Sequence, residues 1–178
     1  IYDLIRDSYS ALAITSRMFI SYNGEYAAYQ QNGEWNICHI PSGSKIRIKN
    51  EGLEKPWFTA DGTAVLFEGE EAIWKYEIKN GSLSELVSFK GYRTSLVNGV
   101  NNGYSVRKGI FDKSWLYDKD HLVIKLYNVQ ENKTSYVLWD KGSTRVIVPP
   151  TTCKIQDMNY NKNYDCFSWI EEDYNIPP

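Results

Sequence analysis

Short apolar runs alternate along the chain with turns that contain Gly, Asn or Asp. Residues 26–29, 64–67 and 122–127 are such runs, and each is followed within a few residues by a turn signal. This spacing is typical of β-strands joined in hairpins. No apolar run approaches the ~20 residues that a membrane-spanning helix needs. The pattern therefore predicts an all-β fold without a membrane span.

Glycine-containing turns repeat at a fixed interval. Gly24 and Gly62 follow Asn or Asp in comparable turns and are 38 residues apart, and Gly43 and Gly81 have the same separation. Each unit reads as a first strand, an Asx-Gly turn, a second strand, an alternating third strand, a Gly turn and a last strand. This order predicts a four-stranded antiparallel meander.

Four such units are predicted, at residues 17–50, 55–90, 104–148 and 155–178, the last of them incomplete. A stretch rich in Gly and Asn, residues 98–103, is interpreted as a longer loop or a distorted outer strand between the second and third units. Repeats of about 40 residues with four strands each are typical of propeller blades. We expect a partial β-propeller of about three full blades and part of a fourth, with a β-sandwich as the alternative.

The amino-acid composition and the distribution of charge limit the classes of partner that the chain is expected to bind. The 14 Tyr, 6 Trp and 6 Phe favour strands, and 20 Lys plus Arg against 22 Asp plus Glu leave a net charge of −2. Without a long run of one sign, the sequence predicts no nucleic-acid partner. The first residues lack the basic and hydrophobic segments of a signal peptide.

Candidate catalytic residues are few. Ser44 and Ser143 lie in predicted turns, and neither belongs to a Gly-x-Ser-x-Gly elbow. His39 and His121 lie far apart and outside any metal-ligand motif. We therefore predict no catalytic, cofactor-binding or metal-binding residues in this chain, and no cofactor.

Three cysteines form an odd set without Cys-x-x-Cys spacing. Cys38 and Cys166 lie in apolar strands and are interpreted as buried thiols. A disulfide between Cys153 and Cys166 stays open as an alternative if the protein is exported.

Two acidic clusters can be interpreted as binding sites or as solvated hairpins. Several tryptophans can likewise be interpreted as a binding platform or as core residues. Residues 68–71 and 171–173 could bind a substrate amine, but solvated hairpins are the preferred interpretation. Trp74, Trp139 and Trp169 occupy strand positions of the repeat, which favours packing between blades over a carbohydrate or peptide platform.

Two segments resemble a known family. Residues 58–67 and 73–81 are similar to the blade pattern of TolB-like propellers and of the propeller domains of prolyl oligopeptidase and dipeptidyl peptidase relatives. Residues 167–178 resemble a late-blade segment of large bacterial members of that peptidase family, where a strand and a polar stretch precede Pro. In that family the α/β-hydrolase domain follows shortly afterwards.

The resemblance implies a function for a larger parent protein. The chain would be the non-catalytic propeller of a serine peptidase, and it would limit peptide access to a catalytic hydrolase domain expected beyond residue 178. Its partner would be the peptide substrate, and open blade faces would favour self-association. The resemblance implies a periplasmic or extracellular location, with the cytoplasm as the alternative. The competing hypothesis is a TolB-like propeller that binds a protein partner without catalysis.

Overall fold

All regular structure in the described part of the chain is β-strand. The computed structural model describes residues 2–3, 8–9, 18–49, 52–97, 121–161 and 166–173. A short antiparallel pair comes first, formed by β1 (Tyr2–Asp3) and β2 (Ser8–Tyr9). The described ranges contain no helix that is long and apolar enough to cross a membrane.

Three antiparallel sheets of four strands follow. The first blade contains β3 (Met18–Ile20), β4 (Tyr26–Gln31), β5 (Glu34–His39) and β6 (Lys45–Ile48). The second contains β7 (Pro56–Phe58), β8 (Ala64–Glu68), β9 (Ala72–Glu77) and β10 (Ser82–Ser88). The third contains β11 (Arg93–Leu96), β12 (His121–Asn128), β13 (Lys133–Asp140) and β14 (Ser143–Thr151). In each sheet the spatial order follows the chain order, which makes each blade the meander that the repeat predicts.

A two-stranded hairpin completes the described fold. Its strands are β15 (Lys154–Asn161) and β16 (Cys166–Glu172), and it packs beside the third blade as the beginning of a fourth. The described residues therefore form the β1–β2 pair and an all-β partial propeller of three four-stranded blades and two strands of a fourth, and this partial propeller is the fold that the sequence predicts.

The third blade starts earlier in the chain than expected. Arg93 pairs with Tyr127 and Leu96 pairs with Ile124, so β11 is the first strand of this sheet and the expected start at residue 104 is wrong. The Gly- and Asn-rich stretch consequently follows the first strand of the third blade instead of preceding it. That stretch lies outside the described residues.

The second blade is buried on both faces, which its sequence explains. Every residue of β8 is buried, although side chains of one strand point alternately to opposite faces. Val65 and Phe67 join a core with the first blade, whereas Leu66 joins a core with the third. We call the contact of the first and second blades the first seam, and that of the second and third blades the second seam.

The third seam joins the third blade to the β15–β16 hairpin. Tyr136 and Val148 of the third blade pack there against Met158, with Phe167 and Trp169 partly buried beside them. The second and third blades thus cover apolar faces with a neighbouring sheet on each side, which is the packing principle of a propeller.

The turn between β7 and β8 shows why the repeat contains Asp-Gly. Thr59 Oγ1 donates to Asp61 Oδ1 at 2.7 Å, and Thr63 N donates to the same oxygen at 3.0 Å. Ala64 N donates to Thr59 Oγ1 at 3.1 Å, which closes the turn. Gly62 has φ of +69°, a conformation that favours glycine.

The equivalent turn of the first blade repeats this network with other side chains. Ser21 Oγ donates to Asn23 Oδ1 at 2.8 Å, Glu25 N donates to that oxygen at 3.1 Å, and Tyr26 N donates to Ser21 Oγ at 2.8 Å. The two turns also touch, because a Cβ atom added to Gly62 would lie 3.1 Å from Asn23 Nδ2. The 38-residue repeat therefore places corresponding turns side by side on one face of the fold.

Candidate functional site

The hairpin between β8 and β9 carries a cluster of three carboxylates beside the second seam. Glu68 ends β8, and Glu70 and Glu71 follow across Gly69. The interpretation of this cluster as a solvated hairpin holds for Glu70 and Glu71, which are exposed, but it is wrong for Glu68, which is only 8% exposed. The difference arises because Glu68 still belongs to the strand and turns its carboxylate towards the third blade.

The Glu68 carboxylate connects two blades. Its Oε1 accepts one hydrogen bond from Trp57 Nε1 of β7 at 2.9 Å and one from Leu96 N of β11 at 3.0 Å. Burial raises the pKa of Glu68 above its usual value. The two hydrogen bonds and the positive charge of Lys55 act in the opposite direction, and the negative charge of Glu54 adds to the rise.

The same hairpin covers one edge of β11. Thr94 N donates to Glu70 O at 3.2 Å, and two residues later Leu96 N donates to the Glu68 carboxylate. Alternate N–H groups of a strand point to the same edge, so these two bonds take the place of a neighbouring strand. The Thr94 hydroxyl adds bonds to Gly69 O at 2.8 Å and Ala72 O at 3.1 Å.

Glu71 fastens the connection that leads into the third blade. Its Oε1 accepts a hydrogen bond from Gly91 N at 2.7 Å, and its backbone oxygen accepts one from Phe89 N at 2.7 Å. Gly69 allows the hairpin to pack closely, because an added Cβ would lie 3.0 Å from Ala72 O and 3.1 Å from Trp74 Nε1. The Glu68 and Glu71 carboxylates therefore accept hydrogen bonds from β11 and from the connection that leads into it.

The ammonium group of Lys55 lies over the ring of Trp57, which donates a hydrogen bond to Glu68. Lys55 Nζ is 3.7 Å from the centroid of the Trp57 ring, whose Nε1 donates to Glu68. Lys55, Trp57 and Glu68 thus form one contiguous group of a cation, an aromatic ring and a carboxylate. We call these three residues the Glu68 group.

The serines and histidines considered in the sequence analysis lie in separate places. His39 Nδ1 is 2.7 Å from Ser42 Oγ, which donates to Ser44 Oγ at 2.9 Å. His39 ends β5, and Ser42 and Ser44 lie in the turn between β5 and β6, so their hydrogen bonds organise that turn. The contact of His39 with Ser42 was not predicted, although their three-residue spacing across a Pro-containing turn was a signal for it.

His121 and Ser143 belong to the third blade. His121 pairs with Asp140 across β12 and β13, and its Nε2 lies 3.3 Å from Asp140 Oδ1. The Ser143 hydroxyl donates to the backbone oxygen of Asp140 at 2.8 Å. The structure therefore does not bring His121 near the His39 turn of the first blade.

All three cysteines are free thiols. Cys38 is buried in β5, as predicted, and burial raises the pKa of its thiol, while Lys45 acts in the opposite direction. Cys166 is exposed, contrary to the prediction of a buried thiol, because it begins β16 on the face away from the third seam. Its register partner Asn161 ends β15, whereas Cys153 precedes that strand. The thiols therefore lie at opposite ends of an eight-residue strand, roughly 23 Å apart, which excludes the Cys153–Cys166 disulfide.

Glu171 and Asp173 of the second acidic cluster are exposed and Glu172 is half-buried, which agrees with a solvated cluster, but Glu171 and Glu172 end strand β16 instead of forming a hairpin turn. Glu171 Oε1 accepts a hydrogen bond from the Thr151 hydroxyl at 3.1 Å, and Glu172 lies 3.5 Å from Lys154 Nζ. Among the described residues no group of three or more His, Cys, Asp or Glu side chains could hold a metal ion.

The strand tryptophans pack between blades, which confirms the preferred interpretation. Trp74 packs against the first seam, Trp139 belongs to the second and Trp169 lies against the third. Trp35 adds a further ring to the first seam, where its Nε1 donates to Leu53 O at 2.9 Å. The aromatic residues at these positions therefore build the core.

Comparisons with known proteins show similarity in fold alone. No protein-family model matches the chain, and no curated protein matches its sequence. An oligogalacturonate lyase from Vibrio parahaemolyticus has a TM-score of 0.58 at 9% identity, covering 92% of this chain and 47% of that one. The complex of the fission yeast SREBP and SCAP binding domains gives a TM-score of 0.44 at 8% identity, covering 95% and 52%. An acylaminoacyl peptidase from Pyrococcus horikoshii gives 0.30 at 10% identity, covering 78% and 31%.

The match to the oligogalacturonate lyase agrees with the architecture of the sheets. The chain spans about half the length of the first two structures and less of the third. The fold defines the class of this protein as a β-propeller, of which the chain contains three blades and the first two strands of another.

Proposed function

We propose that this chain is the non-catalytic propeller part of a serine peptidase of the prolyl oligopeptidase type, which restricts peptide access to a separate hydrolase domain. The resemblance of residues 58–67 and 73–81 to the blades of that family carries the proposal. Thr59 and Asp61 close a turn and Trp74 packs against the first seam, so these segments are used as blade segments.

The hydrogen bonds of the described polar groups support a structural role, in which the propeller restricts access to the hydrolase domain. The His39, Ser42 and Ser44 side chains bond to one another within one turn, and Glu68 accepts hydrogen bonds from two blades. These hydrogen bonds stabilise the turn between β5 and β6 and the contact between the second and third blades. The proposal accordingly assigns bond-making chemistry to residues beyond Pro178, and the peptide substrate is the proposed partner.

A TolB-like propeller that binds a protein partner is the second candidate. Ile20 is 53% exposed at the end of β3, and Tyr22 is 42% exposed in the turn that follows. Two large side chains next to each other at the end of a first strand offer apolar area to a partner. This candidate requires no hydrolase domain.

The location and assembly of the parent belong to the same proposal. The family resemblance supports a periplasmic or extracellular protein, with the cytoplasm as the alternative, and cell fractionation of the parent would distinguish them. The open blade faces expected from the sequence would favour association between copies of the 178-residue chain. Sedimentation velocity at increasing concentration would reveal such association as a rise in the average sedimentation coefficient.

The decisive experiment reads the coding region beyond Pro178 and then uses the full-length product. A Gly-x-Ser-x-Gly elbow followed by Asp and His, labelling of that serine by a fluorophosphonate, and faster cleavage of short peptides than of a folded protein would support the gating propeller. A Ser-to-Ala variant of the elbow serves as the control and should lose the label. Further blades or a stop codon without a hydrolase domain would overturn the peptidase proposal and favour the partner-binding candidate.

A further inference from the structure

The second seam contains a buried ionisable group, Glu68, where the repeat of 38 residues places the uncharged Gln30 in the first blade. Glu68 lies nine-tenths buried between the second and third blades. Its oxygen Oε1 accepts hydrogen bonds from Trp57 of one blade and Leu96 of the other. One carboxyl group therefore meets donors on both sides of the seam.

We propose that Glu68 is a proton-responsive latch between the second and third blades, which holds the seam more firmly when its carboxyl is neutral than when it is ionised. The latch is independent of the proposed peptidase function, because it depends only on contacts within this chain. It would set how readily β11 separates from the acidic hairpin as the pH changes.

The geometry explains why the charge state matters at this place. A protonated carboxyl retains an oxygen that accepts the two N–H bonds. These bonds are stronger to an ionised carboxylate, but ionisation also leaves a charge without its full hydration in a mostly buried position, and that cost is the larger effect. The edge of β11 depends on this oxygen, since Leu96 N points away from β12 towards Glu68. Loosening the contact would release Leu96 first, while Thr94 stays bonded to Glu70 O.

The surrounding charges define the direction of the effect. Within the part of the chain that the structure describes, the charged residues of the elements that adjoin Glu68 are Glu54, Lys55, Glu70, Glu71, Lys75, Glu77 and Arg93. Lys55 favours ionisation of Glu68 and Glu54 opposes it, while Lys75 and Glu77 pair with each other at 2.7 Å. Burial has the largest effect and raises the pKa above the usual 4.5.

The sign of the pH dependence follows from linkage. A carboxyl whose pKa is higher in the folded protein stabilises the fold fully below pH 4.5, and this contribution is lost as the pH rises through the folded-state value. The seam should therefore be tightest under mildly acidic conditions.

Two reporters on different blades allow a direct test by NMR. In the 178-residue chain, the Trp57 indole N–H and the Leu96 amide N–H should shift with pH at one common midpoint above 4.5. Protection of the Leu96 amide from hydrogen exchange, corrected for the intrinsic rate, should fall as the pH rises through that midpoint. Glu68→Gln keeps the acceptor oxygen and should abolish both transitions.

Glu71→Gln provides the matched control. Glu71 belongs to the same hairpin and accepts a hydrogen bond from Gly91 N, but it is exposed. Its variant should retain the common midpoint of the two reporters. A midpoint at or below 4.5 in the unmodified chain, different midpoints for the two reporters, or transitions that persist in Glu68→Gln would each overturn the latch.

Discussion

The first and second seams join equivalent blades in different ways. The first seam is closed by apolar packing, in which the Trp35 and Phe67 rings lie 5.7 Å apart, and by the contact of Asn23 with Gly62. The second seam has an apolar core of similar kind, but the acidic hairpin adds a buried carboxylate that bonds to β11. A repeated fold therefore keeps its core while the polar contacts at each seam diverge.

The largest expected effect comes from adjacent residues of β8 that point into different seams. Phe67→Ala should lower the free energy of unfolding by about 3–5 kcal/mol and Leu66→Ala by about 2–5 kcal/mol, because both side chains are fully buried. Urea unfolding followed by tryptophan fluorescence would measure both. Val129→Ala, at a position that is 56% exposed, should change the value by less than about 0.5 kcal/mol. A loss below about 1 kcal/mol in either core variant would contradict the packing described for that seam.

The second seam should respond to loss of its acceptor. Glu68→Ala leaves the N–H groups of Trp57 and Leu96 without their partner and should cost about 1–3 kcal/mol at pH 7. Glu68→Gln should cost less than the alanine variant, since it retains an oxygen and removes the buried charge. Equal losses in the two variants, again measured by urea unfolding, would show that the acceptor oxygen does not matter.

The same contrast explains how far the sequence could predict the fold. The strands, the blade period and the inward packing of Trp139 follow from alternation and from Gly62-type turns, because each depends on neighbours within one unit. The strand Arg93–Leu96 was missed, since it is short, contains three polar residues and is separated from its partner β12 by more than 20 residues.

The buried carboxylate was missed for a related reason. Glu68 precedes Glu70 and Glu71, and three nearby acids indicate a solvated turn. The signal that points the other way is the unbroken apolar run of residues 64–67, which indicates a strand buried on both faces. What could not be predicted is that β11 presents an N–H group opposite this side chain, because that contact joins residues 28 positions apart.

A smaller effect should distinguish two equivalent glycines at the first seam. Gly24→Ala and Gly62→Ala both place a Cβ at a positive φ, which costs about 1–2 kcal/mol. Only at Gly62 does the added atom meet a neighbour, Asn23, so Gly62→Ala should be more destabilising by about 0.5–1 kcal/mol. In an Asn23→Ala background this excess should disappear. If the two glycine variants are equally destabilised, the turns do not touch in solution.

The smallest effect concerns the cation of the Glu68 group. Lys55→Met removes the ammonium that lies over the Trp57 ring, and it should cost about 0.5–1 kcal/mol in urea unfolding. Because the positive charge of Lys55 lowers the pKa of Glu68, the same variant should raise the pH midpoint of the Trp57 indole signal. Lys79→Met, at an exposed position in the turn after β9, is the control and should leave that midpoint unchanged. A midpoint in Lys55→Met equal to or below that of the unmodified chain would mean that Lys55 does not act on Glu68. The pKa of Glu68 would then be set by burial, hydrogen bonding and the charge of Glu54, without a contribution from Lys55.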